Sequence, residues 1–140
     1  MSERTVTVVE SGNGPYGQFV TAGRHVLGAD EAEELGGRDS GPDPFELLLS
    51  GLGACTAMTL RMYATRKGMK LARVTVRLRH VQRATAAKGL TDRFERLITL
   101  DGELNSDERQ RLLEIADRCP VSQTLKRASE IDTRLAEQAG

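Results

Sequence analysis

The segment Leu47-Leu-Leu-Ser-Gly-Leu-Gly-Ala-Cys-Thr-Ala-Met-Thr-Leu60 is the longest apolar run of the chain and decides its fold. Just before it, Asp43 can cap a helix, Pro44 suits the first helical position, and Glu46 stands where a capping box places its carboxylate. We therefore predict a helix from Pro44 to about Lys67. Because apolar residues occur nearly all round it, the helix is expected to be buried in the core.

Short segments that favour β-structure lie on both sides of this helix. Residues 4–9 and 18–28 alternate weakly around a cluster of turn formers and predict a hairpin. Residues 74–79 and 94–100 predict two further strands, and the segment 82–92 between them reads as a loop. A closing strand is predicted from three alternating residues: Ile131, Thr133 and Leu135.

A second helix is predicted after Asn105. Ser106 is expected to cap it, and acidic residues fill its first turn. One stripe of this helix is apolar and directs Cys119 towards the core; the stripe comprises Leu112, Ile115, Ala116 and Cys119. Pro120 either ends this helix or begins a new one with Cys119 as its cap.

Length and composition limit the possible functions. The chain has 140 residues, the size of one domain, and we expect residues 1–140 to form a single domain. Its 20 basic residues balance 20 acidic ones, and aromatic residues make up 4%, so nucleic acid and anionic membranes are not expected partners. The apolar run is shorter than the ~20 residues of a membrane span, and no secretion signal is recognised, so a cytoplasmic protein is expected.

The two cysteines, Cys55 and Cys119, are the residues with the most evident chemistry. If they meet, they form a thiol–disulfide centre; if they do not, they are small buried hydrophobes. Cys119 at a helix amino terminus would favour the thiolate, whereas the apolar neighbours of Cys55 would raise the pKa of its thiol. Local physics therefore ranks Cys119 as the better nucleophile. The cysteines and histidines lie too far apart in sequence for a zinc motif, and no metal or cofactor is expected.

Two segments and their separation resemble the OsmC/Ohr family of peroxide-detoxifying proteins. These segments are Gly41-Pro-Asp-Pro-Phe-Glu-Leu-Leu-Leu-Ser-Gly-Leu-Gly-Ala-Cys-Thr-Ala-Met-Thr-Leu60 and Cys119-Pro-Val-Ser-Gln-Thr-Leu-Lys126. Gly23-Arg-His-Val-Leu-Gly-Ala-Asp-Glu31 fits as well, particularly to the OsmC-like branch. The resemblance implies an α+β fold in which antiparallel sheets wrap around long central helices. It also implies an interlocked homodimer with active sites between the subunits.

The resemblance further implies a thiol peroxidase that acts in oxidative-stress defence. In the family, the cysteine on the central helix attacks a hydroperoxide and becomes a sulfenic acid. The second cysteine resolves it as a disulfide, and a dithiol donor, lipoyl-type in the Ohr branch, restores the pair. Carried over, Cys55 is the peroxidatic thiol and Cys119 the resolving one. This reverses the order of nucleophilicity that the neighbouring residues indicated. We follow the family, because a cation that a distant segment or a partner chain brings to Cys55 cannot be identified from its sequence neighbours.

The chain departs from the Ohr pattern near the start of the central helix. In the Ohr branch a glutamate at that point works with an arginine of the first hairpin to activate the thiol. Phe45 takes the glutamate's place here, and Glu46 is either the shifted catalytic carboxylate or only the capping-box residue. Arg24 is the nearest arginine, either activating or simply solvated. His25 either assists a thiol and its substrate or is an ordinary strand histidine.

The expected substrates are organic hydroperoxides, including fatty ones. An apolar lining is predicted from four residues: Leu48, Leu52, Met58 and Met62. The alternative is a non-enzymatic dimeric protein of the same fold that binds a small molecule or senses redox state. The phenylalanine at the expected glutamate position supports this alternative.

Overall fold

The chain forms an α+β structure with two antiparallel sheets. The computed structural model describes residues 4–85 and 89–136, with side chains described outside 83–90. In chain order, the elements are β1 (Val6–Glu10), β2 (Gln18–Ala22), β3 (His25–Ala29), a 3-10 helix (Glu33–Leu35), α1 (Pro44–Lys67), β4 (Lys70–Thr85), β5 (Gly89–Glu103), α2 (Ser106–Ala116) and α3 (Pro120–Lys126). The predicted fold class is thereby confirmed.

The residues group into two compact units. The first, which we call the sheet unit, contains the chain up to Gly51 together with Leu78–Arg96. The second, which we call the cysteine unit, contains Leu52–Arg77 and the chain from Leu97 onwards. Both cysteines belong to the cysteine unit. Its core is built from α1, β4 and α2, and the buried residues are Leu60, Tyr63, Ala64, Leu71, Leu112, Ile115 and Ala116.

The sheet unit contains the predicted amino-terminal hairpin. β1 pairs antiparallel with β2, from Val6 opposite Ala22 to Glu10 opposite Gln18. The second β-prone stretch, residues 18–28, contains two separate antiparallel strands, β2 and β3. Gly23 has a φ of 61°, a left-handed conformation that lets the chain reverse in a tight turn.

The predicted central helix is confirmed as α1. The backbone N–H of Glu46 donates to Asp43 Oδ1 at 2.7 Å, and the N–H of Asp43 donates to Glu46 Oε1 at 2.9 Å. This is the expected capping box, and Gly68, with a φ of 68°, follows the last helical residue. By length and composition α1 could also span a membrane, a test that the core helix of a globular protein passes equally.

The strands of the long hairpin extend further than predicted. The loop prediction was wrong for residues 82–85 and 89–92, which belong to β4 and β5, whereas residues 86–88 lie outside the described residues. Cross-strand pairs hold these polar arms together: Arg79 Nη2 lies 2.8 Å from Glu95 Oε2, and His80 Nε2 lies 2.7 Å from Asp92 Oδ1. The strand predictions relied on alternating apolar residues. The two strands continue beyond these residues through polar ones.

The second helix begins one residue earlier than its predicted cap implies. Asn105, not Ser106, is the cap of α2, because Asn105 Oδ1 accepts from the Glu108 N–H at 2.8 Å. Glu108 in turn accepts from the Asn105 N–H at 3.0 Å and completes a second capping box. Ser106 is the first helical residue. The predicted apolar stripe is confirmed, since Leu112, Ile115, Ala116 and Cys119 are all buried.

The predicted closing strand is absent from residues 127–136, all of which are described. Ile131 and Leu135 are 88% and 95% exposed. A strand needs a neighbour for its backbone hydrogen bonds, and no strand among the described residues pairs with this segment. Alternation in the sequence was therefore not sufficient to form a strand.

Candidate functional site

Cys119 lies at the junction of α2 and α3. Of the two alternatives for Pro120, the structure shows the second: Pro120 begins α3, and Cys119 is its cap with φ −62° and ψ 135°. The Cys119 sulfur accepts a hydrogen bond from the backbone N–H of Ser122 at 3.3 Å. Its side chain is completely buried, and the Thr56 hydroxyl lies 3.8 Å from the sulfur.

Cys55 lies on α1, and its thiol is close enough to that of Cys119 to interact with it. Burial raises the pKa of the Cys55 thiol, as does its interaction with Cys119. The backbone N–H of Val121 and the hydroxyl of Thr59 also bond to this sulfur and act in the opposite direction, lowering its pKa. The net pKa is raised, as expected from the apolar neighbours of Cys55.

The first backbone amides of α3 are shared between the two sulfurs. Pro120 has no N–H, so Val121 and Ser122 provide the first amides of this helix. Val121 donates to Cys55 and Ser122 donates to Cys119. A hydrogen bond from an amide stabilises a thiolate more than a thiol, so both sulfurs receive a donor that favours their ionised form.

The two sulfurs differ in accessibility. Cys55 is partly exposed, whereas Cys119 is fully buried, and both carry thiols. A molecule arriving from solvent therefore meets Cys55 first. Two thiols in contact, of which one is accessible, can form a disulfide once an oxidant has modified the accessible sulfur.

The other predicted catalytic residues lie in the sheet unit. Glu46 takes part in the capping box with Asp43. Arg24 lies in the turn between β2 and β3, and His25 is the first residue of β3; with Arg4 they line a surface cavity of about 390 Å³. The contacts described above for the two sulfurs come from α1 and α3 instead.

Phe45 has a packing role in the sheet unit. Its ring stacks on His80 with a centroid distance of 4.4 Å, and His80 stacks on Phe94 at 5.0 Å. The position where the Ohr branch carries a glutamate is thus occupied here by an aromatic contact.

The four residues of the predicted apolar lining differ in exposure. Leu52 is buried in the cysteine unit, with 2% of its surface exposed. Met58 and Met62 are exposed and line a groove of about 530 Å³ beside β4. Leu48 belongs to the sheet unit and is 38% exposed.

Sequence reasoning assigned no role to several groups near the sulfurs. Thr59 follows Cys55 by four residues and so shares its face of α1, a spacing that could have identified it. The Val121 contact comes from a backbone amide, so the identity of the side chain at this position does not predict it. A cavity of about 280 Å³ lies beside Thr59 and Pro120, and it is also lined by Arg66 and Arg118.

Solved structures share the fold at low sequence identity, and we describe three of them. An organic hydroperoxide resistance protein OsmC from Legionella pneumophila is 23% identical, with a TM-score of 0.69 over 90% of each chain. An organic hydroperoxide resistance protein from Elizabethkingia anophelis is 21% identical, with a TM-score of 0.70 over 90% of this chain and 89% of that one. An OsmC-like protein from Mycoplasma pneumoniae is 17% identical, with a TM-score of 0.75 over 89% and 88%.

The sequence itself identifies the family. No curated protein shows significant sequence similarity to the chain. The sequence profile of the family described as OsmC-like protein, however, matches residues 37–134, well over half of the chain. This match includes both cysteines and all of α1, α2 and α3. The chain belongs to the OsmC-like protein family.

Proposed function

We propose that the chain is a thiol-dependent peroxidase that reduces organic hydroperoxides in the cytoplasm, in defence against oxidative stress. Membership of the OsmC-like family implies a role in redox chemistry and peroxide resistance. The observation that carries the finer proposal is the contact between an accessible thiol, Cys55, and a buried one, Cys119. The Legionella and Elizabethkingia proteins of this fold are organic hydroperoxide resistance proteins, which agrees with this proposal.

In the proposed first step, the Cys55 thiolate attacks a peroxide oxygen. The O–O bond breaks, Cys55 becomes a sulfenic acid, and the alkoxide leaves as an alcohol after taking up a proton. The hydrogen bonds from the Val121 N–H and the Thr59 hydroxyl stabilise the attacking thiolate. They act against burial, which is the largest influence on its pKa.

In the proposed second step, Cys119 resolves the sulfenic acid. Its sulfur attacks the sulfur of Cys55, water leaves, and a Cys55–Cys119 disulfide forms. A dithiol reductant, with a lipoyl-type donor as the first candidate, then reduces this disulfide and restores both thiols. The cycle needs no metal or organic cofactor, because the cysteines carry all of the redox chemistry.

We further propose that residues 1–140 act as one OsmC-like domain within a homodimer. Many large apolar side chains remain exposed on the single chain, and exposed apolar patches often mark protein–protein interfaces. They include Val6, Val8, Val9, Val26, Ile131 and Leu135. A second copy of the chain would cover such surfaces, and light scattering should give the mass of a dimer at micromolar concentration.

A non-enzymatic binding or sensor protein is the second candidate. Phe45 supports it, because this residue stacks on His80 and offers no carboxylate where the Ohr branch has one. The raised pKa of Cys55 also supports slow oxidation. Such a protein would lose its thiols slowly and without forming a defined link.

Two single variants test the peroxidase proposal. Cys55→Ser should abolish hydroperoxide consumption, whereas Cys119→Ser should allow one turnover and then overoxidation of Cys55. Stopped-flow consumption of cumene hydroperoxide and the mass of the Cys55 peptide measure these outcomes. Equal single-turnover rates for Cys55→Ser and the unmodified chain would overturn the assignment of roles.

A further inference from the structure

One cavity of the cysteine unit contains two guanidinium groups that have no acidic partner in the part of the chain that the structure describes. It has a volume of about 280 Å³, and its lining includes Met62, Tyr63, Arg66, Ile115, Arg118 and Pro120. The guanidinium groups of Arg66 and Arg118 form no hydrogen bond or ion pair with any residue that the structure describes. Arg66 lies over the Tyr63 ring, with its Cζ 5.6 Å from the ring centroid.

The nearby acids of α2 and its carboxyl end are already paired with other cations. Glu114 Oε2 lies 3.1 Å from Arg111 Nη1, and Asp117 Oδ1 lies 3.3 Å from Lys126 Nζ. Neither described pair involves Arg66 or Arg118. The positive charge of the cavity therefore remains available to a ligand.

The pKa of Tyr63 is lowered by the positive charges around this cavity. The Nε of Arg111 donates to the Tyr63 hydroxyl at 3.0 Å, and this bond is the main cause of the lowered pKa of the phenol. The charges of Arg111, Lys67 and Arg118 lower that pKa further, while burial opposes them. The phenol of Tyr63, which lines the cavity, thus lies close to several positively charged side chains.

We propose that this cavity binds the carboxylate of a small amphiphilic acid, with Arg66 and Arg118 contacting the carboxylate. A guanidinium presents paired N–H donors that match the two oxygens of a carboxylate. Met62, Ile115 and Pro120 provide apolar surface for the rest of the molecule. Sites for small molecules commonly combine such an apolar wall with a few polar groups that fix orientation.

The cavity shares residues with the surroundings of the two sulfurs. Thr59, whose hydroxyl bonds to Cys55, is part of its lining, and so is Pro120, which directly follows Cys119. A bound acid would therefore lie beside the thiol pair. In its link to catalysis this inference rests on the proposed peroxidase function: the carboxylate belongs either to the hydroperoxide itself or to a separate acid that binds next to it.

Equilibrium binding tests the site without using peroxidase activity. Sodium octanoate should bind to the full chain by calorimetry, and 1-octanol should bind at least tenfold more weakly. Arg118→Gln and Arg66→Gln should each weaken octanoate binding about tenfold, the loss expected for one charge-assisted hydrogen bond. Lys67→Gln is the matched control, since it removes a charge near Tyr63 that does not line the cavity; it should change the affinity less than about threefold.

Tyr63 provides a second readout. The chain has two tyrosines and no tryptophan, so in a Tyr16→Phe background the ultraviolet absorbance of tyrosinate comes from Tyr63 alone. An anion beside Arg118 weakens the positive field, so octanoate should raise the pKa of Tyr63 in the native chain and have no effect in Arg118→Gln. Unchanged octanoate affinity in both arginine variants, or equal weakening by Lys67→Gln, overturns the proposal.

A kinetic comparison identifies where the carboxylate comes from. A hydroperoxide that carries a carboxylate should be turned over faster than its methyl ester, and Arg118→Gln should remove that preference, if the acid is part of the substrate. Equal turnover of both compounds, with octanoate still bound through Arg118, assigns the site to a separate acid. Octanoate binding without any peroxide turnover refutes the proposed function and leaves this site intact.

Discussion

The two ends of α1 use their polar residues differently. At its start, in the sheet unit, the polar groups of Asp43 and Glu46 satisfy one another, and Phe45 stacks on His80. Further along, in the cysteine unit, Cys55 interacts with the separate segment that forms α3, and Arg66 has no acidic partner among the described residues. Polar groups that satisfy one another locally stabilise a helix end, whereas groups that face distant segments are available for chemistry.

The largest predicted effect concerns Thr59. Thr59→Val removes a hydroxyl donor from the Cys55 sulfur, so the thiol pKa should rise further above its ordinary range. At a pH below the thiol pKa, each further rise of the pKa by one unit lowers the reactive thiolate fraction tenfold. We therefore expect about a tenfold slower alkylation of Cys55 at neutral pH. The pH profile of iodoacetamide alkylation, followed by mass spectrometry of the Cys55 peptide, measures it.

The control for this variant is Thr65→Val, which changes an exposed threonine of the same helix. Its alkylation profile should coincide with that of the unmodified chain. In both proteins the rate should rise with pH to a midpoint above that of an ordinary cysteine, because burial raises the pKa of Cys55. A Thr59→Val profile identical to that of the unmodified chain would show that the Thr59 hydroxyl does not stabilise the Cys55 thiolate.

The next effect concerns stability at the start of α2. Asn105→Ala removes the cap of this helix and should lower the free energy of unfolding by about 1 kcal/mol. Ser106→Ala changes the first helical residue and should cost much less. Urea unfolding followed by circular dichroism compares the two, and a larger loss for Ser106→Ala would contradict the observed cap.

The smallest effect concerns Glu46. Glu46→Ala removes the reciprocal bond of the capping box and should lower the free energy of unfolding by about 0.5–1 kcal/mol. Glu46→Gln can keep that bond, because glutamine also serves in a capping box. Both variants should retain the alkylation rate of Cys55.

A catalytic role for Glu46 predicts a different pattern. Glu46→Gln would then keep the stability of the chain yet slow the reaction of Cys55 with hydroperoxide severalfold. Urea unfolding and stopped-flow peroxide consumption on the same two variants therefore separate the two roles of this residue.

Much of the fold was predictable because its determinants are local. The capping box at Asp43, the extent of α1 and the stripe that buries Cys119 follow from spacings of four residues or fewer. The predictions for residues 82–92 and 131–135 were wrong because a strand depends on its neighbour as well as on its own sequence. The long hairpin provided cross-strand partners such as Glu95 for Arg79, while no strand of the described ranges pairs with the segment after α3.

The site was predictable only in part, for the same reason. Sequence alone indicated Cys55 and Cys119, and the spacing of Thr59 could have added a third residue. The bond from the Val121 N–H joins residues 66 positions apart in sequence, and the cavity with Arg66 and Arg118 joins α1 to the end of α2. Local reading of the sequence cannot supply such contacts, because they exist only once distant segments have packed together.

The most direct measurement is a count of free thiols in the unmodified chain before and after one equivalent of cumene hydroperoxide, combined with peptide mapping. The account predicts that both thiols of each chain disappear and that the recovered link joins Cys55 to Cys119. Thiols that persist, or that are lost without this link, would contradict the central claim that the two sulfurs act as one redox pair.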